Sequence, residues 1–234
     1  MEPIIMSDLK SDINTARLLV SLRLDEASDD ANTVRSLAEE AMKVAKPKAL
    51  FKEAFIDEKG HDYVVIDGVT FKSRVLRVNL DGVNRVFPYV VTAGRELDEW
   101  SNSVDGMLEQ YWADQIKEFI LGTAYDDFVA RITAAYGLGK TASMNPGSLE
   151  DWPIREQPKL FGLLGDPMQS IGVELTDSCL MIPAKSVSGI RFATESTYEN
   201  CQLCSRKNCP NRRAPYDPHL WEQRYKMSEG RGQN

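Results

Sequence analysis

From about Val104 to Tyr136 apolar side chains recur at helical spacing, with Trp112, Ile116, Phe119, Ile120, Phe128 and Ile132 available for burial on one side. This is the longest helical stretch in the chain, and Gly122 is the point at which it is expected to break into two. Ahead of it, Val86 to Val91 reads as a buried strand that leaves the sheet at Thr92-Ala93-Gly94, where glycine permits a tight exit. Extended runs at Leu50–Ile56, Tyr63–Ile66 and Val69–Phe71 precede that strand, the last two joined by Asp67-Gly68, a strong hairpin signal. Gly172–Leu175 and Ser186–Ala193 read as two more strands, and Ile154–Leu164 as a helix that follows Trp152-Pro153.

Two helices are expected before residue 46. One runs from Ser7 to about Leu24 and the other from Asp30 to Ala45, where Pro47 stops it. Helices and antiparallel hairpins therefore alternate irregularly, without the strand-helix rhythm of a parallel sheet. The expected fold is α+β: a single domain with a twisted, mainly antiparallel sheet flanked by helices, plus N-terminal helices and an irregular Cys-containing tail. Its divisions fall at 1–46 (helical segment), 47–195 (core) and 196–234 (tail, read as an appendage).

The 234 residues are 42% apolar, enough for a real core, and the formal charge is −7. That balance disfavours nucleic acid, whose phosphates need clustered Lys and Arg. No apolar run approaches the roughly 20 residues that span a bilayer, and the start Met1-Glu2-Pro3 is unlike a signal peptide. A cytoplasmic protein without membrane contact is expected.

Two segments carry more than fold information. They are Met144-Asn145-Pro146-Gly147-Ser148 through Trp152-Pro153, and Leu175-Thr176-Asp177-Ser178-Cys179-Leu180-Met181-Ile182-Pro183 through Val187-Ser188-Gly189. Together they resemble the Pro-Gly turn and the Thr-acid-Ser, Met-x-Pro, Val-Ser-Gly run of the activation domain of cobalamin-dependent methionine synthase, including its split, stand-alone relatives. The resemblance is specific from about Ser143 to Phe192 and weaker from Pro47 to Tyr136.

The resemblance implies an accessory or activation subunit that closes over cobalamin carried by a partner corrinoid protein or methyltransferase. S-adenosylmethionine would be the methyl donor for reductive remethylation, with electrons from a flavodoxin or ferredoxin. The hard chemistry then belongs to the cofactors, so no catalytic residue is required of this chain. Pro146, Gly147, Ser148, Ser188, Gly189 and Arg191 are the cofactor-binding residues it points to. Pro-Gly pairs also mark plain turns, and Ser188-Gly189 also suits an ordinary strand. Three positions depart from the family pattern: Ser143 stands where an arginine is usual, and Ser148 and Arg191 where tyrosines are usual. Arg191 is either a carboxylate partner restored from the other side, since its fork can pair a carboxylate that serine cannot, or a solvated strand residue. The alternative is a non-enzymatic corrinoid-docking or electron-delivery module that has lost the donor site.

Cys201, Cys204 and Cys209 fall within nine residues, a spacing that lets three thiolates converge on one metal. Zinc or an iron-sulfur cluster suits them, with Cys179, Asp217 or His219 as a fourth ligand, and a zinc-stabilised scaffold is a third reading of the chain. Arg206, Lys207, Arg212 and Arg213 make this the one local basic patch, suited to docking an acidic carrier or forming a solvated face. His61 reads as a solvated turn residue, and Gly137–Thr141 lacks the first glycine of a phosphate loop.

Overall fold

The computed structural model describes residues 1–195, 198–209 and 212–226. Its centre is strand β6 (Arg85–Thr92), buried from Val86 to Thr92. A strand covered on both faces needs no polar alternation, which is why the sequence there is a continuous apolar run. β10 (Ser186–Ala193) lies antiparallel along one side of it, in register from Ser186↔Thr92 to Phe192↔Val86. Two short strands share the other side: β2 (Lys48–Phe51) opposite Tyr89–Thr92, and β3 (Ala54–Lys59) opposite Arg85 and Val86.

The sequence pattern predicts one strand across Leu50–Ile56, whereas the chain turns at Lys52-Glu53. Both residues there make ion pairs, Lys52 with Asp67 at 2.7 Å and Glu53 with Arg85 at 3.1 Å. β3 continues into β4 (Tyr63–Ile66) and β5 (Val69–Lys72) through the expected hairpin. Asp67 and Gly68 both have positive φ, 45° and 79°, as a tight primed turn requires. β1 (Ile4–Met6) extends the sheet beyond β2, and β7 (Thr141–Met144) beyond β10, giving eight antiparallel strands. Neither short strand is evident in the sequence, because each is set by a partner about 50 residues distant rather than by local pattern.

One face of the sheet is covered by α5 (Met107–Tyr136), a continuous helix that Gly122 does not break. Ala124, Phe128 and Ile132 of α5 pack on Phe51, Phe87 and Tyr89. The first half of α5 packs against α1 (Thr15–Leu22), α2 (Asp29–Val44) and α4 (Arg95–Asn102) in a second core. α1 starts later than the pattern predicts: its cap is Asn14, whose Oδ1 accepts from the Arg17 amide. Residues 7–13 instead run along α5, where Lys10 N–H donates to Asp127 and Asp12 N–H to Thr123. Leu9 and Ile13 are buried there, which is what gave the segment its helix-like spacing.

The opposite face carries α3 (Arg74–Asn79), α6 (Gln157–Leu163) and the C-terminal tail. Ser73 caps α3, and Asp151 binds both the Ser73 hydroxyl and the amides of Arg74 and Val75. α7 (Pro167–Ile171) leads into a small hairpin of β8 (Glu174–Leu175) and β9 (Met181–Ile182). The tail is no loose appendage: Tyr198 and Tyr225 are buried in the core that holds Trp152 and Ile190, and the Tyr225 hydroxyl donates to Asn79 at 3.0 Å. The fold is thus the expected α+β arrangement. Among the described residues no helix is long and apolar enough to cross a membrane.

Candidate functional site

The registers of β6, β10 and β7 bring Arg191 opposite both Phe87 and Ser143, and Gly189 opposite Tyr89. Alternation then sets Tyr89, Gly189, Arg191, Ser143 and Thr141 on the face under α5, where Tyr89 packs against Tyr125 and Phe128. A polar cluster forms in this otherwise apolar layer. The Tyr89 hydroxyl lies 2.7 Å from Ser143 Oγ and 3.1 Å from the Tyr125 hydroxyl, and it accepts from Asn145 Nδ2 at 3.0 Å. Asn145 Nδ2 also donates to the Ser188 carbonyl at 2.7 Å. Full burial raises the Tyr89 phenol well above its ordinary value, with Tyr125 adding to the effect, so it stays protonated.

Arg191 completes the cluster. Its terminal nitrogens donate to the Tyr125 hydroxyl at 3.2 Å and to Thr141 Oγ1, while its buried Nε has no partner. No carboxylate lies within ion-pair distance of it among the described residues. Ser143 and Arg191, singled out from the sequence, are therefore neighbours. Tyr89, Tyr125, Asn145 and Thr141 were not singled out. Tyr89 carried the available signal, as the one polar-tipped side chain between Val86 and Val91.

β7 ends in the Pro-Gly turn. Ser148 N–H donates to the Asn145 carbonyl at 3.1 Å and Gly147 has φ +83°, so Asn145–Ser148 is a type II turn with proline and glycine at its two central positions. Pro146 is buried, whereas Gly147 and Ser148 are exposed. Ser188 and Gly189 are buried. A Cβ on Gly189 would lie 2.5 Å from the Met144 carbonyl oxygen and 2.6 Å from Asn145 Nδ2, so the space beside this glycine is filled by the protein itself.

The cysteine tail is organised around an arginine. Arg212 donates to the carbonyls of Cys201 at 3.1 Å and Cys204 at 3.3 Å, and also to that of Arg206. All four cysteines are free, and among the described residues no group of three His, Cys, Asp or Glu side chains is placed to hold a metal ion. The thiols as arranged do not fit zinc or an iron-sulfur cluster. Asp217 receives the His219 amide, and Cys179 sits in the turn of the β8–β9 hairpin. The basic patch is smaller than its sequence suggests, because Arg212 is turned inward and Arg213 pairs with Glu199 at 3.3 Å, leaving Arg206 and Lys207 exposed.

Residues 148–213, which include Arg191 and the three tail cysteines, match the family described as vitamin B12 dependent methionine synthase, activation domain. Over that segment the chain is similar to this activation-domain family. The crystal structure of the MetH reactivation domain bound to AdoHcy has the same fold, with a TM-score of 0.62 at 15% identity over 85% of this chain and 81% of that one. No curated protein sequence matches the chain. The activation-domain match begins at Ser148, so the Ser143-Arg191 pairing is a feature the structure adds to it.

Proposed function

We propose that this chain is an activation component for a cobalamin-dependent methyltransferase of the methionine synthase type. It closes over cobalamin carried by a partner protein and supports reductive remethylation with S-adenosylmethionine, the electron coming from a carrier such as a flavodoxin or ferredoxin. The match of residues 148–213 to the activation-domain family supports the reading, as does a fold shared with a domain seen bound to AdoHcy. The observation that carries it is Arg191, a guanidinium held by two hydroxyls beside Ser143, with a buried Nε free and no acid attached. Such a group pairs a carboxylate through two charge-assisted hydrogen bonds. The protein's part is to hold the donor's carboxylate, orient the donor toward the partner and exclude water.

The test is calorimetric titration of the anaerobic protein with S-adenosylmethionine, alone and with a reduced corrinoid partner. Saturable binding that Arg191→Ala abolishes is the expected result. Binding unchanged in Arg191→Ala would remove this residue from the donor site.

One observation favours a second reading, a docking or electron-delivery module without a donor site. Tyr89, Tyr125, Ser143 and Asn145 already satisfy one another, so part of the cluster is closed by internal hydrogen bonds. Capture of the corrinoid partner with no S-adenosylmethionine binding in either condition would select it. Zinc or an iron-sulfur cluster on Cys201, Cys204 and Cys209 stays outside the proposal, because the three thiols do not converge.

A further inference from the structure

Two of the three tail cysteines share one tight turn. Cys204 N–H donates to the Cys201 carbonyl at 3.3 Å, which closes residues 201–204 on themselves. Such a turn holds its first and fourth Cα atoms within about 7 Å, and a disulfide spans Cα separations of about 4.4–6.8 Å. Cys209 lies outside the turn. The turn is fixed from several directions. Glu199 and Gln202 bond each other's side chain and backbone as a capping box, and the Gln202 carbonyl accepts from the Asp217 amide at 2.9 Å. Asn200, buried next to Cys201, accepts from the Tyr198 hydroxyl at 2.8 Å, and Arg212 donates to the carbonyls of both Cys201 and Cys204. Both thiols are free and half-buried, and the Arg213 amide donates to Cys201 Sγ at 3.4 Å.

We infer that Cys201 and Cys204 are a redox pair that passes between dithiol and disulfide by exchange with an external disulfide. Cys201 gives up its proton and attacks one sulfur of that reagent, forming a mixed disulfide; the other sulfur leaves with the bonding electrons and takes up a proton. Cys204 then gives up its proton and attacks Cys201 Sγ, the mixed bond breaks, and the second reagent sulfur leaves as a thiol. The protein has lost two electrons and two protons, and the reagent has gained them as two thiols. Cys201 is the attacking residue, since attack needs a thiolate and a backbone donor already faces its sulfur. The fixed turn makes the second step intramolecular, with both sulfurs held on one short segment before the reaction begins. Nothing in this exchange involves Arg191, so the inference and the donor reading stand or fall separately.

The test equilibrates the full chain, without oxygen, in buffers of fixed reduced and oxidised glutathione, alkylates the remaining free thiols and reads the peptides by mass spectrometry. A Cys201–Cys204 disulfide is expected. Its ratio to the dithiol should be at least about tenfold higher in the native protein than in the chain unfolded by urea, because only the folded turn holds the two sulfurs together. Cys209→Ser should leave that ratio unchanged, and Cys204→Ser should stop at a glutathione adduct on Cys201. Pairing of either residue with Cys209 instead, an equal ratio in native and unfolded chain, or thiols that resist exchange as metal-held sulfurs do, overturns the inference.

Discussion

Gly189 in β10 and Gly147 at the end of β7 flank the same region, yet they are glycine for different reasons. Gly189 has ordinary strand torsions and is buried; what it lacks is room, with the Met144 carbonyl oxygen, Asn145 and Tyr89 all within 2.8 Å of where a Cβ would stand. Gly147 is exposed and has φ +83°; its nearest neighbour is the flexible tip of Ile154, 2.9 Å from the missing Cβ. One glycine admits a polar cluster into an apolar layer, while the other turns the chain over the sheet edge toward the tail. A motif that pairs the two is therefore built by packing at one end and by backbone torsion at the other.

Gly189→Ala is the sharpest way to break the packing half. Rigid backbone and a hydrogen-bonded amide cannot move aside cheaply, so the variant should lose about 3 kcal/mol of stability, the upper part of the usual range for overpacking. A urea transition with an unchanged slope and a lower midpoint would show it. A loss below about 1 kcal/mol would mean that the Asn145 amide swings away and that the cluster is softer than its hydrogen bonds suggest.

Arg191 tests whether the cluster is a site or only a support. Loss of a charged pair with a ligand carboxylate should weaken S-adenosylmethionine about 30-fold in Arg191→Ala, on the order of 2 kcal/mol. Lysine should not restore it, because a point charge cannot reproduce the fork. A fall in the unfolding midpoint without a change in affinity would assign Arg191 to the support of Tyr125 and Thr141 alone.

Gly147→Ala probes the torsional half. A non-glycine residue in the left-handed region costs about 1–2 kcal/mol, and the Ile154 side chain can rotate to relieve its contact. Stability should fall by about that amount, distinctly less than for Gly189→Ala. Equal losses for the two glycines would erase the distinction between space and torsion.

Much of the sheet was legible in the sequence because its signals are local. Asp67-Gly68 specifies its turn, Val86–Val91 its burial, and Ser186–Ala193 its strand. β1, β7 and α3 were not legible: Ile4–Met6 and Thr141–Met144 are too short to show a period, and the start of α3 is fixed by Asp151, some 76 residues further along the chain. For the site, the family motifs pointed to the Pro-Gly turn and set Arg191 apart as a departure from them, but no spacing rule places Tyr89 and Tyr125 above Ser143. That meeting depends on the register of three strands and on where α5 crosses them. The cysteines are the opposite case. Their spacing suits a metal, yet Arg212 supplies donors to the carbonyls of the same loop, a contact that sequence proximity alone does not reveal.

Gly122 provides the control for both glycines, because neither reason applies to it. It lies on the exposed side of α5 with helical torsions, and a Cβ there would meet nothing within 4 Å. Its neighbour Thr123 holds the N-terminal segment through Asp12, but the Gly122 position itself stands clear of that contact. Alanine should therefore stabilise the protein by about 1 kcal/mol, the difference in helix propensity between the two residues. The gain should appear in the unfolding midpoint with no effect on S-adenosylmethionine binding. A neutral or destabilising result would mean that α5 departs from regular helix at residue 122 in solution, restoring the break that the sequence suggests and loosening the platform on which Tyr125 meets Arg191.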